Sequence, residues 1–263
     1  MDVVFSETIT HMRFFKNWGA VFLVAVLMLA SCRSKEKELS STPETLTARE
    51  MIYIKASVEQ QTPSKTTLQD AQVLWTSGDQ IKVFSKGNPS GVVFTLEESS
   101  VGSAVGVFSG EKPQGGGPYY VVYPSDAAVS LQDDAVQVSL PAAQTYAEES
   151  FGNGANLSMA VSESLQYLVF RNALGGVSFS LSGDQDFSGI LLQAKGGEPL
   201  SGAGFLKMEE SGPVLTMENA LAESSSLFLD CSKVKGHTYY LMVPPGSFKE
   251  GFMAEFITRG RPS

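Results

Sequence analysis

The chain has 263 residues, a formal net charge of -9, two histidines and two cysteines. An acidic surface of this kind excludes nucleic acid as a partner, because that partner needs clustered Lys and Arg to displace counterions. It offers no electrostatic help at an anionic bilayer either, and so few His and Cys leave no zinc site to assemble.

The first element in chain order is a leader. Arg13 and Lys16 precede an apolar run from Gly19 to Met28, which closes in Leu29-Ala30-Ser31-Cys32. The run is far shorter than the ~20 residues that cross a bilayer, so residues 1–31 read as a removed signal, with Met12 as a second candidate start. Arg13 and Lys16 offset Asp2 and Glu7, so the mature chain keeps the whole negative charge. A basic start, a short apolar core, small residues and then Cys resembles the bacterial lipobox. That resemblance implies cleavage between Ser31 and Cys32 and fatty acylation of Cys32, palmitate included. Each buried acyl CH₂ contributes ~0.8 kcal/mol, and two or three chains hold almost irreversibly. The expected membrane partner is therefore lipid on Cys32 alone. Arg33, where Asp signals inner-membrane retention in lipoproteins, implies outer-membrane sorting.

Residues 32–50 carry almost no apolar side chains and read as a lipidated, flexible tether. After them, short runs of Val, Ile, Phe and Tyr alternate with Gly, Pro, Ser and Asp clusters, which is the pattern of antiparallel β structure. The spacing predicts strands over 51–58, 72–75, 80–85, 92–96, 104–109, 119–123 and 135–140. A second group is predicted over 166–170, 176–181, 187–194, 204–208, 214–217, 225–231, 238–243 and 251–258. Ile52, Ile54, Ala56 and Val58 alternate with Tyr53, Lys55 and Ser57, as in a sheet with one wet face. Turn chemistry joins the runs at Ser77-Gly78-Asp79, Gly115-Gly116-Gly117-Pro118, Lys195-Gly196-Gly197-Glu198 and Pro244-Pro245-Gly246. The expected fold class is all-β, with β-sandwich domains. Ala142 to Glu163 is the least β-like interval, and it sets an expected domain boundary near residue 160. The N-terminal domain is then 51–160 and the C-terminal domain 161–263.

Lys65-Thr66, followed by Trp75-Thr76-Ser77-Gly78-Asp79-Gln80-Ile81-Lys82-Val83-Phe84, resembles the fimbrillin-like lipoproteins of Bacteroidota, whose first domain reads K-T, then W-x-x-G-D-x-I-x-V-F. The likeness continues in order. Phe108-Ser109-Gly110 is similar to the family's F-x-G, Tyr119 to Pro124 to its Y-x-x-x-Y-P, and Pro141-Ala142-Ala143-Gln144 to its P-x-x-Q; 168–174 and 176–181 resemble the first strands of its second domain. The resemblance spans roughly residues 51–260. It implies two tandem sandwich domains of transthyretin-like or Greek-key type. It further implies a fimbrial subunit or an anchor or tip accessory, with other fimbrial subunits as partners through strand exchange and a host glycan or protein as the adhesion target. Arg49 is the candidate processing point for an Arg-directed protease. Nothing between Cys32 and Arg49 resembles a strand, however, so cleavage there removes a tether and opens no groove. That departure favours a lipid-retaining anchor, tip or surface protein over a shaft subunit. The chain also stops soon after the strand at 251–258, which leaves a truncated second domain or a sandwich awaiting a donated strand.

Candidate chemistry is sparse. Cys231, in a strand-like run, reads as a small buried hydrophobe, and His237 is the only mature histidine, too little for a Ser-His-Asp set. Glu97-Glu98 and Asp133-Asp134 are neighbours whose alternate placement on a strand sends them to opposite faces. Asp184-Gln185-Asp186 lacks the spaced oxygens of a calcium loop. Gly152-Asn153-Gly154 and Gly202-Ala203-Gly204 read as loop glycines that open no phosphate-binding helix. No catalytic residue, cofactor or metal is assigned, and enzymatic activity is not expected. In the turn at Gly78-Asp79, Gly78 supplies a positive φ and Asp79 a capping carboxylate, while Trp75, Ile81, Val83 and Phe84 are core. The alternative function is a glycan-binding surface lipoprotein of a nutrient-uptake system. A solvent-exposed pair among Trp75, Tyr119, Tyr120 and Tyr123 supports it, and their burial counts against it.

Overall fold

Alternation along residues 51–58 sets the first wall. Ile54 and Ala56 are fully buried, whereas Tyr53 and Lys55 between them are exposed. The computed structural model describes residues 50–59, 73–148, 150–181, 187–218, 222–231 and 238–258, all within one compact unit, Thr47–Ser263. The leader, Ser31, Cys32, Arg49, the Lys65-Thr66 pair, Asp184 to Asp186 and His237 lie outside the described residues.

The described residues are all-β, with three short 3-10 turns. In chain order the strands are β1 (Met51–Val58), β2 (Gln80–Ser85), β3 (Asn88–Leu96), β4 (Val105–Glu111), β5 (Tyr119–Tyr123), β6 (Ala128–Gln132), β7 (Ala135–Leu140), β8 (Ala143–Ala147) and β9 (Ser150–Phe151). They continue with β10 (Ser158–Ser162), β11 (Tyr167–Asn172), β12 (Gly175–Ser180), β13 (Phe187–Ala194), β14 (Gly202–Glu209), β15 (Gly212–Met217), β16 (Ser226–Asp230), β17 (Thr238–Val243) and β18 (Phe252–Thr258).

Seven strands close a barrel in the order β1-β11-β10-β5-β2-β3-β4. Its β1–β11 pair is parallel and the other ladders are antiparallel. Ile54, Trp75, Phe94, Phe108, Leu168 and Phe170 fill the interior. Space for these rings comes from β4, whose inward residues are Gly106, Phe108 and Gly110. A Cβ on Gly110 would lie 2.7 Å from Phe94 Cγ, and one on Gly106 2.9 Å from Trp75 Cδ1. The Phe-x-Gly series is thus a packing device: the glycine lies directly against an aromatic ring.

A four-stranded sheet, β15-β14-β7-β6, covers the outside of β2, β5 and β10. Phe84, Tyr120, Val122 and Met159 face this sheet, while Val83, Val121 and Ala160 face the barrel interior. Burial on both faces explains why β5 reads Tyr-Tyr-Val-Val-Tyr without a polar position. The remaining strands form a five-stranded sheet, β18-β13-β16-β8-β9, and a two-stranded sheet, β12-β17. One apolar cluster, including Ile190, Leu192, Leu229, Tyr239 and Leu241, lies between them.

Some expected elements differ. Residues 73–75 join no ladder, and Trp75 is held instead by Trp75 N–H to Ser103 O (3.0 Å) and Gly102 N–H to Trp75 O (2.8 Å). Four strands are additional: β6, β8, β9 and β10, the last three inside the interval that looked least β-like. Gly202-Ala203-Gly204 opens β14, where Gly204 abuts Thr216 O, so close backbone packing rather than looping explains it. The position expected as a domain boundary, residue 160, sits inside β10, which pairs with β5 and β11.

Candidate functional site

The Trp75–Asp79 turn is the most organised polar feature. Asp79 N–H donates to Thr76 O (3.1 Å), closing a turn in which Gly78 takes φ +85°. Asp79 folds back: its Oδ2 accepts from Thr76 N–H (2.7 Å) and its Oδ1 from the Tyr123 hydroxyl (3.0 Å). The same hydroxyl lies 3.1 Å from Asn153 Oδ1. Burial and the Asp79 carboxylate push the Tyr123 hydroxyl well above its ordinary range, so it remains a donor at all ordinary pH values. Beneath this turn Trp75 meets Phe108, Tyr123 and Phe170 edge-on at 5.0, 5.4 and 6.0 Å, and its indole N–H donates to Ala56 O (3.2 Å). Trp75, Ile81, Val83 and Phe84 are all buried, and the motif is a structural corner that ties β1, β2 and β5 together. The turn, Tyr123, Ser125, Asp126 and Asn153 line a shallow polar depression of about 240 Å³.

The aromatic pair required for glycan stacking is not presented by the residues expected to supply it. Trp75 is 2% exposed and Tyr120 6%, while Tyr119 and Tyr123 are half-buried. Their strand, β5, is covered on both sides, so alternation does not bring a tyrosine face to solvent.

Asp133 and Asp134 are not strand residues. They form the two-residue turn between β6 and β7, at φ +46° and +64°, a backbone that Asp tolerates. Asp134 Oδ1 accepts from the Tyr120 hydroxyl (2.6 Å) and lies 3.2 Å from Lys86 Nζ, and these contacts lower its carboxyl pKa. Glu97 follows β3, and Glu98 opens a 3-10 turn and accepts from Ser77 Oγ (2.9 Å). Cys231 is buried with its thiol pointing to Leu229 O (3.7 Å), and burial pushes the thiol up to about 11. Among the described residues no three of His, Cys, Asp and Glu gather to hold a metal ion.

In the sequence Gln144 closes the Pro141-Ala142-Ala143-Gln144 motif, and in the fold its role is structural. It is 8% exposed, and its amide brackets Met242: Nε2 donates to Met242 O (2.7 Å) and Met242 N–H donates to Oε1 (2.9 Å). A side chain of β8 thus stands in for a neighbouring strand along the lateral edge of β17. The sequence carries no periodic signal of this, because Gln144 lies in the interval that reads as least β-like.

The opposite flank is different. Residues of one strand send both backbone groups to the same side, so the Met242 groups used by Gln144 point away from β12. Gly176, paired with Met242, and Ser178, paired with Tyr240, therefore turn their backbone groups to the outer edge of β12. Among the described residues β12 pairs only with β17, and β18 only with β13. Between these two edges lie the half-buried rings of Phe179, Phe187 and Phe256, with Phe256 5.7 Å from Phe179 and 5.6 Å from Phe187.

The chain is thus an all-β protein built on a closed seven-stranded barrel. It is similar to a putative cell adhesion protein from Bacteroides ovatus ATCC 8483, whose crystal structure it matches with a TM-score of 0.46 at 12% sequence identity. That match covers 81% of this chain and 86% of the other. No protein-family profile matches the chain, and no curated protein matches it.

Proposed function

We propose that the protein is a lipid-anchored outer-membrane surface protein of the fimbrillin-like kind, without catalytic activity. It serves as a structural or adhesive subunit, or as an anchor or tip accessory, and joins its neighbours by β-strand addition. The barrel with its covering sheet, and the two sheets around Tyr239, are read as tandem sandwich domains of the transthyretin-like or Greek-key type. The lipobox ending in Cys32 and the ordered motif series support the membrane and family parts of this reading. The observation that carries strand addition is the lateral edge of β12, unpaired among the described residues, with Phe179, Phe187 and Phe256 half-buried beside it. A strand added there pairs the free backbone groups and covers the rings together.

Two substitutions test this. Cys32→Ser moves the protein from the outer-membrane fraction to the soluble one, and mass spectrometry finds the acyl mass on Cys32 in the parent. Ser178→Pro removes one lateral N–H of β12 without touching the ladder to β17. It leaves the protein in the membrane and abolishes its cross-linked oligomers with neighbouring subunits. A bare Cys32 thiol refutes the anchor. Oligomers that persist in Ser178→Pro refute strand addition at this edge.

A further inference from the structure

Among the described residues the covering sheet lies on β2, β5 and β10, and the outer faces of β1, β4 and β11 carry an aromatic and cationic platform that the strand-addition reading does not use. On the outer faces of β11, β1 and β4, the ladder places Tyr167, Lys55 and Val107 side by side in one row. The next rows hold Val169, Ser57 and Val105 on one side and Tyr53 with Ser109 on the other. Tyr53 is 67% exposed and Tyr167 49%; Tyr53 stands one row before Lys55 on β1 itself, and Tyr167 stands directly beside Lys55 on β11. Tyr167 is pinned at both ends. Its backbone lies in β11 beside Lys55, and its hydroxyl meets Ser57 Oγ at 3.0 Å, one inward residue further along β1. The ring therefore lies along the sheet and shows one face to solvent, while Lys55 rises at its edge.

The charge around this platform is informative. Glu59 is held by Arg171 at 2.9 Å and Glu50 by Lys112 at 2.9 Å, so neither carboxylate neutralises Lys55. Lys55 thus has no ion pair among the described residues and stands next to two exposed tyrosines, on a protein of net charge -9. We infer that this face binds a carboxylated pyranose, a uronic or sialic acid unit of a glycan, with the sugar ring stacked on Tyr167, its carboxylate on Lys55 and the next unit of the glycan over Tyr53. Stacking uses the apolar C–H face of the sugar against the flat ring. The ion pair selects acidic over neutral sugars. A sheet face suits an internal unit of a long glycan, which continues past the site in both directions.

Affinity electrophoresis of the full chain, in a detergent without a sugar headgroup, tests this in gels containing polygalacturonate or neutral dextran. General electrostatics repels a chain of this charge from a polyanion, so retention on polygalacturonate reports a local site. Saturation-transfer NMR with sialyllactose and lactose separates sialic from uronic ligands. Retention on the acidic polymer is expected to weaken about tenfold or more in Tyr167→Ala, a change of about 1.4 kcal/mol. Lys55→Gln is expected to retain the fold and lose the preference for acidic sugars. Tyr167→Phe keeps the ring without its Ser57 bond and falls between the two. Met253→Ala, exposed on a different sheet, leaves binding unchanged. The inference is overturned if no acidic sugar binds, or if Tyr167→Ala and Lys55→Gln bind as the parent does. It is equally overturned if Tyr167→Ala alters only self-association in sedimentation, which makes the face a contact between copies.

Discussion

Replacing Gln144 by Leu removes the amide that closes the lateral edge of β17 and keeps a side chain of similar length. Two hydrogen bonds disappear, at 2.7 and 2.9 Å, and the Met242 N–H and C=O are left buried without their partner. Each orphaned group costs about 1–3 kcal/mol. The added methyl groups recover part of that loss, so a net destabilisation of roughly 2–4 kcal/mol follows. At roughly 2–4 °C per kcal/mol for a chain of this size, the expected fall in Tm is roughly 4–16 °C. Gln144→Glu sharpens the test, because a carboxyl replaces the amide donor only when protonated. Burial and the facing Met242 carbonyl raise its pKa in the folded state above the unfolded value near ~4.3. Its contribution is therefore present below that unfolded pKa, is lost as pH rises towards the folded pKa, and stays lost above it. Circular dichroism melts at pH 4 and pH 8, each against the parent, read both effects. A loss under ~0.5 kcal/mol in Gln144→Leu, or equal relative stability of Gln144→Glu at the two pH values, refutes the role assigned to this amide.

Three further outcomes are expected. Burial and its bond to Asp134 raise the Tyr120 hydroxyl from 10.0 to about 12. The stability it supplies is intact below pH 10 and declines as pH rises towards 12, so Tyr120→Phe flattens the alkaline limb of the stability curve measured by circular dichroism. Cys231, whose thiol is pushed up to about 11, does not react with a disulfide reagent at pH 8 in the native protein and reacts fully in urea. Gly110→Ala drives a methyl group to 2.7 Å from the Phe94 ring and costs about 1–3 kcal/mol in urea unfolding; a neutral result shows that the barrel interior yields more freely than described.

Strands whose burial alternates, or which are apolar throughout, were legible residue by residue. The runs at β1, β2, β5, β7, β13 and β17 begin and end where the pattern of Val, Ile, Phe and Tyr does. β10 was hidden because it reads Ser-Met-Ala-Val-Ser. Ala160 faces a barrel interior already filled by aromatic rings, so a methyl group suffices there and leaves no hydrophobic signature. β8 was hidden for a different reason. Its buried members, Gln144 and Tyr146, are a polar clamp and an aromatic ring at the rim of a cluster rather than an aliphatic row. The parallel pairings β1–β11 and β16–β8 join segments far apart in the chain, and local periodicity carries no information about such partners.

The same limit decides where functional aromatics were sought. Tyr119, Tyr120 and Tyr123 cluster in a short run and draw attention, yet that run is the wall on which the β15-β14-β7-β6 sheet lies. Tyr53 and Tyr167 stand singly among ordinary strand residues, far apart in the chain, and only the parallel β1–β11 ladder sets Tyr167 beside Lys55, two residues on from Tyr53. Which half of the barrel is covered depends on β14 and β15, which arrive from beyond residue 200. A tyrosine-rich strand is thus as well explained by burial on both faces as by a binding role. The exposed tyrosines on the outer faces of β1 and β11 contribute no ring to the core. That asymmetry makes Tyr53 and Tyr167, rather than the tyrosine cluster, the residues whose removal is expected to alter recognition while sparing the fold.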